Sequence, residues 1–340
     1  MKKITSNTFA FAPTRRNVIE GGAALLASGL TGQSAFAQDA NYPSREVHVI
    51  AAFPAGSGAD VYTRYFAENT RPFLGPNAVI VVENKVGASG NVAINYVARA
   101  KPDGYTMLIH APSAIAANMS LFKEPGYDAT KAFDVLGSVC RLPFTVSVSP
   151  NSPHKTMASL IADIKKKGDK ASYGTTAPTG QVAGALMKSI LKIPIVEVPY
   201  RTAADSVNDL NSGNLDYMMY DPIFAMPKHR AGTVRVLAIS SKERMSTAPE
   251  IPTMHESGIP DVDVVGWWGV AVPAGVPQPI KDKIAEAFRK MAEKPETKKW
   301  LADLGGDPWI AGPAEAQARM LADIKDWAGF MKVAKLEPQG

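Results

Sequence analysis

Between a run that reads as a strand and one that reads as a helix lies Phe53-Pro54-Ala55-Gly56-Ser57-Gly58-Ala59-Asp60, the stretch of this 340-residue chain best suited to hold a small anion. Glycines at 56 and 58 let the backbone turn tightly, and the helix start beyond them offers N–H groups without intrahelical partners and the positive end of its dipole. No lysine or arginine lies in the loop. Recognition would rest on backbone amides and the Ser57 hydroxyl, with Phe53, Ala55, Gly58 and Ala59 around them. The arrangement recurs in Tyr173-Gly174-Thr175-Thr176-Ala177-Pro178-Thr179-Gly180-Gln181, which follows a strand and precedes a helix expected from Val182. It adds Thr175, Thr176, Thr179, Gly180 and Gln181 as candidates. A third strand-to-helix loop, Val198-Pro199-Tyr200-Arg201-Thr202-Ala203-Ala204-Asp205, adds Tyr200 and Arg201, while Ser113 and Asp221 follow the ends of two further strands. In an open α/β sheet, ligands sit beyond the carboxyl ends of the strands. Loops of two facing lobes would therefore converge on one site.

Each of these residues also has a plainer reading. A glycine-rich turn is often only a turn, and it is the coincidence of three that favours an anion site. Asp60 and Asp205 fall in first helical turns, where a carboxylate caps the dipole. Arg201 is either a counter-ion or a solvated loop arginine. Ser57 sits in a strand-turn-helix context resembling a nucleophile elbow, but that motif needs Gly-x-Ser-x-Gly and the flanks here are Ala55 and Ala59. The five histidines are scattered without metal-ligand spacing, and there is neither a phosphate loop nor a dinucleotide fingerprint. No catalytic residue, metal or cofactor is expected. Cys140 is the only cysteine, which excludes an intrachain disulfide, and its flanks Val139 and Leu142 predict a buried thiol.

The elements that would position these loops alternate. Strands are expected at 47–52, 79–83 and 106–110 with helices at 59–73 and 91–100, giving one lobe. After a proline-punctuated stretch come strands at 144–149, 172–174, 196–198, 215–219 and 234–239 with helices at 157–167, 182–191, 203–211 and 223–230, giving a second. This is the pattern of an α/β fold with largely parallel sheets. Gly168, Gly213 and Gly232 each follow a helical run where a left-handed residue is wanted. A proline-rich crossing leads to a strand at 267–272 and helices at 280–291 and 314–332, assigned back to the first lobe. Trp267 and Trp268, being consecutive on a strand, must point to opposite faces.

At the N-terminus, Lys2, Lys3, Arg15 and Arg16 precede a short apolar run and then Ala35-Phe36-Ala37, the order of a cleaved export signal with a twin-arginine-like Thr14-Arg15-Arg16-Asn17-Val18. Residues 1–37 are read as the signal, 38–143 as lobe 1, 144–244 as lobe 2, and 245–340 as the crossing and return. Losing the signal lowers the net charge from +5 to +2. No basic stripe with interleaved aromatics remains, so a nucleic-acid partner is not expected.

Taken together with Tyr42-Pro43-Ser44-Arg45, Val82-Glu83-Asn84-Lys85, Lys101-Pro102-Asp103-Gly104-Tyr105-Thr106 and residues 271–277, these loops make the chain similar to the substrate-binding proteins of tripartite tricarboxylate transporters, the Bug receptors. The resemblance implies a periplasmic-binding-protein type II-like fold, two lobes with a ligand cleft between them. It further implies a monomeric periplasmic receptor that captures a small carboxylate by lobe closure and delivers it to integral-membrane transporter subunits. In such receptors a carboxylate meets backbone amides of the first and second loops, which here means Ser57, Gly58, Ala59 and residues 175–181. Gln181 stands where relatives often carry histidine, Pro178 lacks an N–H, and His110-Ala111-Pro112-Ser113 partly replaces a hydroxyl-rich turn. Two other readings compete: a secreted serine-type hydrolase, and a sensor presenting its ligand to a membrane signalling partner.

Overall fold

The computed structural model describes residues 41–340, so the export-signal reading lies outside the described residues. Arg45–Gly340 forms one compact unit, which holds all the strands and helices of the described residues. Its first three strands, β1 (Val47–Ala51), β2 (Ile80–Asn84) and β3 (Thr106–His110), are parallel. They are joined by α1 (Gly58–Leu74) and α2 (Asn91–Ala98), and α3 (Pro112–Leu121) comes next. Ile50 and Leu108 pack beneath Ala93, Ile94, Val97 and Ile115. The sheet is completed by β4 (Phe133–Pro143), β10 (Val265–Pro273) and β11 (Asp307–Pro308), in the order β11-β4-β10-β3-β1-β2. β10 runs antiparallel to both β3 and β4.

A second sheet comprises β5 (Thr145–Val148), β6 (Ser172–Thr175), β7 (Val196–Pro199), β8 (Tyr217–Tyr220) and β9 (Arg235–Ile239), in the order β7-β6-β8-β5-β9. Around it lie α4 (Met157–Lys167), α5 (Pro178–Leu191), α6 (Val207–Ser212) and α7 (Pro222–Arg230). Each sheet thus has its own helices, and the two lobes of the α/β fold are distinct. Gly168, Gly213 and Gly232 adopt φ of 60°, 78° and 70° where the sequence asks for left-handed helix stops.

Two of the elements absent from the sequence reading show why they were illegible. β4 is covered on both faces and buried along nearly its whole length, with Gly137 and Ser138 in its middle, so it carries no alternation of polar and apolar positions. α3 begins on Pro112, which reads as a turn but suits the first helical position because the missing N–H would be unpartnered there anyway.

The chain crosses between sheets where β4 runs through Phe144 into β5, and again through residues 240–264. Ser240 ties the crossings together. Its Oγ accepts the Phe144 N–H at 2.9 Å and donates to the Val264 carbonyl at 2.6 Å, while its N–H donates to the Phe144 carbonyl at 2.8 Å. The remaining helices are α8 (Gln278–Glu293), α9 (Pro295–Asp303) and α10 (Pro313–Ala334). α10 packs on α3 and β4 of the first lobe and also on α5 of the second, with Trp327 and Met331 inside the second lobe's core. Among the described residues no helix is long and apolar enough to cross a membrane. Cys140 is buried and unpaired.

Candidate functional site

In the first loop, Gly56 takes φ 81°, open to glycine and costly for other residues, and this lets its N–H donate to Asp60 Oδ2 at 2.9 Å. Ser57 is the helix N-cap: its Oγ accepts the Asp60 N–H at 3.2 Å and its carbonyl accepts the Val61 N–H at 3.0 Å. The amides of Gly58 and Ala59 are left without an acceptor among the described residues. Asp60 holds this shape. It is 3% exposed and also accepts from Arg64 Nε at 2.9 Å and Asn84 Nδ2 at 2.7 Å. Burial pushes its carboxyl up, but the hydrogen bonds from Arg64, Asn84 and Gly56 outweigh that and hold it below the usual range. Asp60→Ala would remove the acceptor of the Gly56 N–H and of one Asn84 side-chain N–H, the other still donating to the Phe53 carbonyl at 2.8 Å, and should cost about 2 kcal/mol, read as a lower urea midpoint. The capping role of Ser57 also argues against a nucleophile there, since its Oγ is committed to the helix start.

The second loop is shorter than its sequence suggests. α5 starts at Pro178, not Val182, so Thr179, Gly180 and Gln181 lie in its first turn. Pro178 occupies the first helical position, where its missing N–H costs nothing. Gln181 N–H returns to the Ala177 carbonyl at 3.0 Å, and no side chain caps the helix. The free donors are therefore the Thr179 and Gly180 amides. Gly180 must be glycine: a Cβ there would come within 2.8 Å of Phe144 Cδ1 and 3.0 Å of the Met219 carbonyl oxygen. Thr175 is occupied elsewhere, its hydroxyl donating to Glu197 Oε1 at 3.1 Å, while Thr176 is half-buried beside the helix start.

The third loop corrects the expectation. No helix starts at residue 203: α6 begins at Val207 and is six residues long. Asp205 does not cap it but closes a turn, accepting the Thr202 N–H at 3.0 Å and donating its own to Thr202 Oγ1 at 3.3 Å. Tyr200 is pinned by its hydroxyl to Asp209 Oδ2 at 2.6 Å. Arg201 is exposed and makes no ion pair among the described residues. The loop offers no aligned row of amides.

Its place is taken by the start of α7. Asp221 caps this helix, accepting the Phe224 N–H at 3.0 Å. Burial raises its carboxyl above the usual range despite the lowering by backbone N–H groups of Phe224 and Ile223. A Cβ on Gly58 would lie 3.4 Å from Ile223 Cγ2, so the first helix of one lobe and the last helix start of the other are in contact. Tyr62, one turn along α1, faces the same region, feels the Asp221 charge, and keeps its buried hydroxyl without a partner among the described residues. β6 and β8 are neighbours, with Thr175 opposite Met219, so the α5 and α7 starts leave the sheet side by side. Gly58 thus meets Ile223 of the α7 start, and Gly180 of the α5 start lies against the Met219 carbonyl, two residues before Asp221.

The other candidates divide. Phe53 packs its ring 5.0 Å from that of His110, and Ala55 is exposed at the loop tip. Ser113 is buried and its Oγ accepts the Trp267 N–H at 3.3 Å, which places it in the fold's interior. His110, one of the histidines without metal-ligand spacing, is 1% exposed, and neither ring nitrogen has a partner among the described residues. Burial lowers its pKa to about 4. The signal that could have marked it is position: it is the last residue of β3, at the carboxyl edge where α/β ligands sit. Tyr62 and Ile223 carried no such signal.

The model of a family described as tripartite tricarboxylate transporter family receptor matches residues 62–333. An Agrobacterium vitis protein of the UPF0065 group is 29% identical over 92% of this chain and 90% of its own length. BugT of Bordetella pertussis is 26% identical over 86% of this chain and 90% of its own. Among solved structures, the periplasmic binding protein BugD is 32% identical with a TM-score of 0.76, covering 88% of this chain and all of BugD. A Rhodopseudomonas palustris protein solved with adipate is 27% identical with a TM-score of 0.79, over 88% of this chain and 100% of that one. MatC from the same organism, with bound malate, is 25% identical with a TM-score of 0.73, over 85% and 99%.

Proposed function

Because the chain belongs to the tripartite tricarboxylate transporter receptor family, a group of solute-binding proteins, we propose that it captures a small carboxylate at the helix starts where its lobes meet. The carboxylate would accept from the Gly58 and Ala59 amides on one lobe and the Thr179 and Gly180 amides on the other. The observation that carries this reading is the approach of Gly58 to Ile223, which sets a donor pair of the first lobe against the second lobe's helix starts. Relatives solved with adipate and malate support a carboxylate ligand. Rotation about the Phe144–Ser240 crossings would close the lobes, and ligand binding to both would favour the closed population. The closed form would then be presented in the periplasm to the transporter's membrane subunits. The export signal, a monomeric state and a non-enzymatic role belong to the same proposal.

Gly58→Pro tests it directly. Gly58 is the first helical residue, and Ser57 before it is extended at φ −70°, ψ 161°, so proline fits the backbone there as Pro178 and Pro222 do at two other helix starts. The substitution deletes one donor and leaves the helix. Losing one hydrogen bond to a charged group, worth about 1.5–3 kcal/mol, should weaken carboxylate binding roughly tenfold to a hundredfold in calorimetry, with the melting temperature of the free protein unchanged. Unchanged affinity would place the carboxylate elsewhere.

A further inference from the structure

We infer that His110 selects the ligand by its far end, favouring a carboxylate that carries an uncharged hydroxyl over one that carries a second carboxylate. The inference rests on the carboxylate site proposed above and specifies what lies beyond it. His110 ends β3 at the carboxyl edge of the first-lobe sheet, beside the first loop. Its ring is 5.0 Å from Phe53 and 5.5 Å from Trp268, and its Nε2 approaches Gly90, where a Cβ would stand 3.3 Å away. Both ring nitrogens are buried with nothing to bond to among the described residues. Leaving such groups unpaired is costly, and a buried orphan of this kind points to a partner supplied from outside the chain.

The chemistry of that partner is set by the surroundings. No carboxylate faces the ring, and burial keeps it neutral, so it presents one N–H and one lone pair. A hydroxyl both accepts and donates and can satisfy either nitrogen. A second carboxylate could only accept, and its charge would be buried without a cation. The cations on the neighbouring strand and helix are engaged: Arg64 with Asp60 and Asn84, Lys85 with Glu83 and the Tyr96 ring. An unpaired buried charge is far more costly than an unpaired hydroxyl. The Phe53 and Trp268 rings pack against the imidazole with apolar surface, which suits the carbon skeleton of such an acid.

The test is calorimetry with two matched pairs, 6-hydroxyhexanoate against adipate and 4-hydroxybenzoate against terephthalate. At least one hydroxy acid should bind tenfold or more tightly than its dicarboxylate partner. His110→Phe keeps the ring packing and removes both nitrogens, and should erase that preference while leaving hexanoate or benzoate binding within about twofold. If this variant fails to fold, imidazole nitrogen NMR of the unaltered protein decides, since the preferred hydroxy acid should shift the His110 signals and the monocarboxylate should not. Dicarboxylates binding as tightly as hydroxy acids, a preference that survives His110→Phe, or unmoved His110 signals would each overturn the inference and leave the carboxylate site standing. Binding by none of the acids would instead defeat the carboxylate site, and this inference with it.

Discussion

Gly269→Ala should lower stability by about 3 kcal/mol, and the melting temperature by about 5 °C. Gly269 lies in β10 between β3 and β4, opposite His110 on one side and Ser138 on the other, at a register shift next to Trp268. A methyl group there would collide with the Gly137 carbonyl oxygen and come within 3.2 Å of its carbon and 3.3 Å of Ser138 Cα. These are backbone atoms of the longest ladder in the molecule, so no side chain can rotate away and the strands must part. Because the bulge also sets Trp268 and His110, ligand affinity should fall with stability. Gly329→Ala is the control. Gly329 is exposed within α10 with nothing near its Cβ position, and there alanine should add about 0.5–1 kcal/mol. Equal melting temperatures for the two variants would refute the account.

The second large effect is on acid stability, where two buried groups oppose one another. His110 is neutral when folded, its pKa lowered by burial to about 4, against 6.5 for an exposed histidine. Below pH 6.5 the unfolded chain therefore takes up a proton that the folded one refuses. Stability from this residue is complete above pH 6.5 and is lost as pH falls toward 4, by about 1.4 kcal/mol per pH unit and about 3 kcal/mol in all. Asp323 acts in the reverse sense. Burial raises its carboxyl to about 6, against the lowering by Arg319 and by Trp267, whose Nε1 donates to it at 2.7 Å. It takes up a proton in the folded state first, so its contribution grows as pH falls from 6 toward 4. The two windows overlap and nearly cancel in the unaltered protein. Asp323→Asn keeps an acceptor for Trp267 and removes the titration, so its urea-derived stability should fall between pH 6.5 and 4.5 by about one proton's slope more than that of the unaltered protein. His110→Asn should change the slope by a similar amount in the opposite direction. Parallel profiles for all three proteins would mean that neither group titrates as described.

The local features were legible because their causes are local. The place of Asp60 in a first helical turn, the left-handed stops at Gly168, Gly213 and Gly232, and the opposite faces of Trp267 and Trp268 depend on residues a few positions apart. Trp267 joins the core beneath α2 and α3, and Trp268 packs on Tyr62 and Phe66. The strand-loop-helix alternation is local in the same sense, and it delivered the two-lobed α/β architecture. Where propensity was ambiguous the reading slipped. Four residues that read as loop, beginning at Pro178, became the first turn of α5. Four that read as helix, beginning at Ala203, became a turn closed by Thr202 and Asp205.

What tertiary structure alone decided is which unpartnered groups share a space. Gly58 and Ile223 are far apart in sequence, as are Tyr62 and Asp221, and no periodicity encodes their meeting. The same holds for β4, whose burial on both faces erased its pattern, and for α10, whose one apolar stripe serves both lobes. His110 belongs here too, since only the packed structure shows that no described residue answers its two nitrogens. A sequence states which backbone amides a helix start must leave open, because that is fixed by hydrogen bonds reaching only four residues. Whether those amides and orphaned side chains end in water or in an enclosed site depends on contacts spanning a hundred residues or more, and these exist only once the chain has folded.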